Sequence, residues 1–191
     1  MVMAVKQDGK ENPSVAIETD YYEARDFPEL YDEYFDRVNR YLRCRVHSSW
    51  DADDLTTSVF LKALEKFDQY SRRSPFASWI FRIAHNTFID FVRKVREYPT
   101  EAEELLFIEA DDEYQPELRV LSKEEMTLLR TRLNMLSQDQ RDVLTLRFFA
   151  DLKISQVAEV LGKSESSVKM ISHRGIKVLQ SFYEEGDRHE G

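Results

Sequence analysis

The chain has 191 residues, 36 of them acidic and 27 basic, for a formal net charge of −9. A length of this size holds one or two small domains. With 5 glycines, 5 prolines and 33% charged residues, composition argues against a turn-dense sandwich or barrel and for a soluble all-α fold. An acidic total also argues against nucleic acid as a partner, since phosphates need a basic face, unless the charge is unevenly placed.

Residues 1–24 are polar, lack the apolar centre of a signal peptide and are expected to form a flexible tail. The single cysteine, Cys44, has no second thiol for a disulfide or a metal site, which points to a cytoplasmic protein. No run of about 18 apolar residues occurs, so no membrane segment is expected.

The first predicted helix has Pro28 in its opening turn. Its apolar stripe, Phe27, Leu30, Tyr31, Tyr34, Phe35, Val38, Tyr41 and Leu42, recurs at the helical period. A second helix opens at Asp51, a candidate cap whose neighbours Asp53 and Asp54 favour a helix N-terminus. It carries Leu55, Val59, Phe60, Ala63, Leu64 and Phe67 as its apolar positions. A third begins at Ser74-Pro75, a cap followed by proline, buries Trp79, Ile80, Ile83, Ala84, Phe88 and Phe91, and ends in basic Arg93, Lys94 and Arg96.

The loop before this third helix and the helix itself set Arg72, Arg73, Arg82, Arg93, Lys94 and Arg96 among Tyr70, Phe76, Trp79 and Phe81. Cations interleaved with aromatics suit single-stranded nucleic acid: phosphates meet the cations while bases stack on rings, at about 1–3 kcal/mol per base. The plainer reading is that the aromatics are core and the arginines a solvated face.

From Glu97 to Leu118 the chain holds nine acidic residues, two prolines and no basic residue. Like-charge repulsion should keep this stretch extended, so it reads as an acidic linker between two small helical domains. At about 3.4 Å per residue it spans roughly 75 Å at most. The negative charge is therefore concentrated, leaving two basic islands elsewhere.

Beyond the linker, Ser122 with Glu125 and Ser137 with Gln140 fit the capping-box spacing and mark two helix starts. The second of these helices carries Val143, Leu144, Leu146 and Phe148. After a break at Ala150-Asp151 comes a short helix with Ile154, Val157, Ala158 and Leu161 inward, ended by Gly162 in a left-handed cap. Ser164 then caps a last helix with Val168, Ile171, Gly175, Val178 and Phe182 on one face. A short helix, a glycine turn and a capped helix with a basic outer face is the helix-turn-helix pattern. Ser166, Ser167, Lys169, Met170, His173, Arg174 and Lys177 are its outward residues, and Arg174 or Lys169 suits a guanine edge.

Together these segments resemble bacterial sigma factors. DADDLTTSVFLKALEKFDQYSRRSPFASWIFRIAHNTFIDFVRKVR is similar to their region 2, and LNMLSQDQRDVLTLRFFADLKISQVAEVLGKSESSVKMISHRGIKVL to their region 4. Having only these two regions resembles the extracytoplasmic-function class. The resemblance implies a tail at 1–24, region 2 over 25–96, the linker over 97–118, region 4 over 119–184 and a tail over 185–191. It implies binding to core RNA polymerase through the β′ clamp helices and the β flap, recognition of the minus-35 and minus-10 promoter DNA elements, melting of the latter, and restraint by an anti-sigma factor.

By the same resemblance, Asp51, Asp53, Asp54, Thr57 and Ser58 lie on the polymerase-binding helix, with Thr57-Ser58 standing where the family has a Gln-Glu pair. Lys66, Tyr70, Ile83 and Asn86 would line the pocket for a flipped minus-10 base, with Arg72, Arg73 and Arg93 near the strand. Ser166, Ser167, Lys169, His173, Arg174 and Lys177 would face the minus-35 element, with Arg147 and Lys153 on its phosphates. The linker would thread the polymerase's RNA path, its carboxylates Glu101, Glu103, Glu104, Glu109, Asp111, Asp112 and Glu113 standing in for the transcript.

An enzyme is not expected. His47, His85, His173 and His189 lack metal-ligand spacing, and no glycine loop cradles phosphate, so neither cofactor nor metal is anticipated. The remaining alternative is a helix-turn-helix regulator that is not itself a sigma factor, which leaves the basic aromatic helix before the linker without a role.

Overall fold

A computed structural model describes residues 26–97 and 123–186. The N-terminal tail, the acidic linker beyond Glu97, the Ser122 cap and the chain after Gly186 lie outside the described residues. Every regular element among those described is helical.

The first group contains α1 (Phe27–Arg43), α2 (Ser49–Lys66), a 3-10 turn over Phe67–Gln69 and α3 (Phe76–Glu97). Pro28 stands in the first turn of α1, where its missing N–H costs no hydrogen bond. Helix α2 is capped by Ser48, not Asp51: Ser48 is extended, and its hydroxyl accepts from the Asp51 N–H at 3.4 Å. Asp51 instead occupies the first turn, where a carboxylate meets the positive end of the helix. Val38, Tyr41, Leu42, Ala52, Val59, Ala63, Ile80, Phe81 and Ala84 close the core of this group, each large one worth about 1.5–3 kcal/mol of burial.

The second group contains α4 (Lys123–Asn134), α5 (Gln138–Phe148), α6 (Ile154–Leu161) and α7 (Glu165–Gly186). The expected capping box at α5 forms, with Ser137 Oγ accepting from Gln140 N and Gln140 Oε1 accepting from Ser137 N at 3.0 Å. Gly162 ends α6 in the left-handed region at φ 63°, and Ser164 Oγ accepts from Ser167 N to start α7. At α6 the cap position is Lys153, which has no oxygen to offer; only Gln156 closes the turn, its Oε1 accepting from Lys153 N at 2.8 Å. Helix α7 approaches α5 so closely that a Cβ on Gly175 would lie 2.9 Å from Leu144 Cδ1.

The two groups pack against each other. Helix α6 lies along α3, and Val143, Leu146, Leu152, Val157 and Val168 join the core residues of α1–α3 in one continuous apolar cluster. Cys44, just past α1, is buried with Leu133, Leu136 and Leu144 of the second group. Its thiol donates to Tyr41 O at 3.0 Å, and burial pushes its pKa up to about 12.

Several expected placements differ, Tyr31 of the α1 stripe among them at 38% exposed. Phe76 and Phe81 are buried, 3% and 0% exposed, so they belong to the core and not to a stacking face. Leu64 and Phe148 turn outward at 55% and 58%, because each falls on the side of its helix away from the shared core.

Candidate nucleic-acid interface

The loop between α2 and α3 is shaped by Tyr70. Its hydroxyl donates to Ser74 O at 2.6 Å, and its ring lies 4.9 Å from Trp79 and 5.7 Å from Phe76. That closure holds the segment between them as a tight turn, with Arg72 in the left-handed region at φ 56°. Arg72 and Arg73 are exposed there, as are Lys66 at the end of α2 and Asn86 on α3. Ile83 is half-buried. Trp79 is half-buried too, closing the hydrophobic side of the loop.

Not every arginine of this island is open. Arg93 pairs with Asp90 at 3.0 Å on the surface, a contact weak enough for a phosphate to replace. Arg82 donates to Glu159 O at 2.6 Å, so it is engaged by the second group.

On the helix-turn-helix, Val168 and Ser172 of α7 are buried, and Gly175 lies against α5. The opposite side presents Ser166, Lys169, His173, Arg174 and Lys177, all exposed, with Ser167 half-buried. Lys169 lies 3.9 Å from Glu165, a loose surface pair. Lys153 is exposed, whereas Arg147 donates to Leu152 O and so braces the corner between α5 and α6. Asp151, at φ 51°, makes the sharp part of that corner.

The acidic face of α2 is braced from beneath. Asn39, 3% exposed, donates from Nδ2 to Asp53 Oδ1 at 2.8 Å and to Thr56 Oγ1 at 3.1 Å. Arg43 stands 3.6 Å from the same Asp53 carboxylate. Asp54 and Thr57 are exposed, and Ser58 is half-buried. Partial burial, with the Asp54 charge adding to it, raises the Asp51 carboxyl above its ordinary range.

The model of Sigma-70 region 2 matches residues 30–98, and that of Sigma-70 region 4 matches residues 132–181. The RNA polymerase sigma factor YlaC of Bacillus subtilis is 33% identical over 147 residues, covering 76% of this chain and 85% of its own. The ECF RNA polymerase sigma factor BldN of Streptomyces coelicolor is 32% identical over 159 residues, 82% of this chain and 60% of its own length.

The chain is an extracytoplasmic-function sigma factor.

Among solved structures, the fold of this sigma factor is similar to that of CnrH in complex with the cytosolic domain of CnrY. The TM-score is 0.61 at 19% identity, over 83% of this chain and 87% of that one. It is also similar to the sigma factor RpoE in complex with the anti-sigma factor NepR from Bartonella quintana, with a TM-score of 0.67 at 24% identity, over 83% and 97%.

The structure adds residues to this sigma factor's surfaces that sequence reasoning missed. Trp50 and Leu61 are 71% and 57% exposed, and with Asp54, Thr57 and Leu64 they recur every three or four residues along one side of α2. Three uncovered large apolar side chains on one helix side form the kind of patch that marks a contact surface. Of these three apolar residues the sequence singles out only Leu64, and places it with the buried stripe; the three-to-four spacing from Trp50 to Leu64 is the signal that marks the others. Among the described residues no cluster of three or more histidine, cysteine, aspartate or glutamate side chains could hold a metal, and no helix is long and apolar enough to cross a membrane.

Proposed function

We propose that this sigma factor directs promoter-specific initiation with three surfaces, which divide as region 2 over 25–96 and region 4 over 119–184. The observation that carries the reading is the loop closed by the Tyr70 hydroxyl on Ser74 O, which holds Arg72 and Arg73 outward beside an aromatic wall. A flipped minus-10 base would stack against Tyr70 and meet Asn86, whose side chain offers both a donor and an acceptor, with Lys66 and Ile83 at its edges. Arg72, Arg73 and Arg93 would neutralise neighbouring phosphates.

Helix α7 would enter the major groove at the minus-35 element. Lys169, His173 and Arg174 reach base edges in this reading, while Ser166, Ser167, Lys177 and Lys153 meet phosphates. Arg147 serves that surface by holding the α5–α6 corner. The β′ clamp helices would cover Trp50, Asp51, Asp53, Asp54, Thr57, Ser58, Leu61 and Leu64, combining an apolar stripe with carboxylates for basic partner residues. Region 4 would rest on the β flap, and the acidic linker would occupy the RNA path. The protein works without catalysis of its own, in the cytoplasm, under restraint by an anti-sigma factor.

The deciding experiment is run-off transcription with purified core polymerase. A promoter-specific product that appears only on addition of this chain, and falls on Asn86→Ala or Tyr70→Ala, is expected. Absence of product with core alone, alongside specific binding to promoter DNA, would instead identify a regulator.

A further inference from the structure

The apolar side chains of α7 keep to the core side, with one exception. Val168 is fully buried, Ile171 packs partly buried against the larger core, and Ile176, Val178 and Leu179 pack against the cluster of Leu133, Leu136 and Leu144. Met170 is 51% exposed, the single large apolar side chain among the described residues of α7 that stands in the open.

Its position on the helix is central. An α-helix turns about 100° per residue, so Met170 stands roughly 160° around α7 from each of the buried residues Val168 and Ser172. That is almost opposite the core. Lys169 and His173 flank it on one side and Arg174 on the other, all exposed. As the sixth residue of α7, Met170 also lies in the N-terminal half, the part of a recognition helix that meets base edges.

DNA seated on that face covers Met170 whatever its sequence, and the base edge beneath decides what the contact is worth. A thioether has no donor and only a weak acceptor. Over guanine O6, adenine N6 or cytosine N4 it shuts out water and returns no comparable hydrogen bond, so a polar group is left unpaired at a cost. Thymine differs, because its C5-methyl group is the apolar feature of the major groove. Burying that methyl is favourable, and the three rotatable bonds of methionine let the side chain settle on it. Arg174 follows one turn later, about 6 Å along the axis, which is close to two base-pair steps of about 3.4 Å.

We propose that Met170 is a specificity-determining residue that reads a thymine C5-methyl group in the minus-35 element, within about two base pairs of the base met by Arg174. The inference rests on the placement of α7 in that major groove. Lys169, His173 and Arg174 supply hydrogen bonds around the contact, and Met170 adds a preference that those bonds do not.

The test uses the full chain assembled with core polymerase. Duplexes carrying a minus-35 element are selected from a random pool, and each thymine of that element, on either strand, is then replaced singly by deoxyuridine, which pairs identically and lacks only the methyl. Wild type should bind one of these duplexes about three- to fivefold more weakly than its thymine parent. Met170→Ala should bind that pair of duplexes alike, and Met170→Leu should restore the difference, both with wild-type helix content by circular dichroism. An element without thymine, the absence of any methyl-sensitive position, or a sensitivity that persists in Met170→Ala would overturn the inference. Failure to select any sequence would remove the minus-35 reading itself, and this inference with it, so the two failures are told apart.

Discussion

Gly175 of α7 faces Leu144 of α5 so closely that any added Cβ would sit 2.9 Å from Leu144 Cδ1. Leu144 is 2% exposed, enclosed by the core around it. Gly175→Val should therefore destabilise the second helical group by about 1–3 kcal/mol through overpacking, read as a lower midpoint in chemical denaturation. Gly162→Ala should cost about 1–2 kcal/mol for a different reason: a Cβ there meets nothing within 4 Å, but φ is 63°.

Removing the Tyr70 hydroxyl tests the loop. Tyr70→Phe keeps the ring against Trp79 and loses the bond to Ser74 O, for a stability cost of about 0.5–1.5 kcal/mol. Initiation on a duplex promoter should fall several-fold, while a promoter with a pre-opened minus-10 bubble should lose less. Equal loss on both templates would show that the turn's shape acts on something other than melting.

The exposed side of α7 separates base reading from phosphate binding. Arg174→Ala should cost about 1–3 kcal/mol of discrimination at one minus-35 position. Lys177→Ala should weaken binding to all sequences alike and reduce the slope of log K against log salt by about one. Quantitative binding to a panel of single-base variants at several salt concentrations distinguishes them.

His85 should make the stability of the packed helices sensitive to acid. Its Nδ1 lies 3.2 Å from the Tyr41 hydroxyl; burial lowers its pKa below the ordinary 6.5, the Asp142 carboxylate opposes that shift and Arg45 adds to it. A histidine depressed on folding binds more protons when unfolded, so stability rises with pH through this window. The corresponding stabilisation is present above pH 6.5 and is lost as the pH falls below it. Melting temperatures of wild type and His85→Gln, compared between pH 7.5 and pH 5.5, should converge toward the acid end.

The local signals were the legible ones. Ser137 with Gln140, Gly162 and Ser164 each make the predicted cap because the chemistry that sets them lies within three or four residues. Lys169, His173 and Arg174 are exposed on one side of α7 because helical periodicity alone settles which side faces α5. Partnerships across the chain were not legible. Arg45 and Asp142 are 97 positions apart, and neither sits in a pattern that distinguishes it from a surface charge. Arg82 looked like its basic neighbours until Glu159 O was found opposite it. Phe81 resembles a stacking ring because the sequence shows its helix, but not that Tyr41 and Arg37 of α1 pack against that ring.

The burial of Cys44 makes the chain carry its own reporter. The sulfur belongs to α1's end, but the leucines that enclose it come from α4 and α5 and the segment between them. With its pKa pushed up to about 12, almost no thiolate exists at neutral pH while those leucines are in place. Any parting of the helical groups would strip away that shield and return the thiol toward its intrinsic acidity. The rate at which a maleimide or iodoacetamide labels this one atom would thus report how often the two helical groups lose contact there, with no dye or engineered cysteine, in any mixture of polymerase and DNA whose own thiols are first blocked.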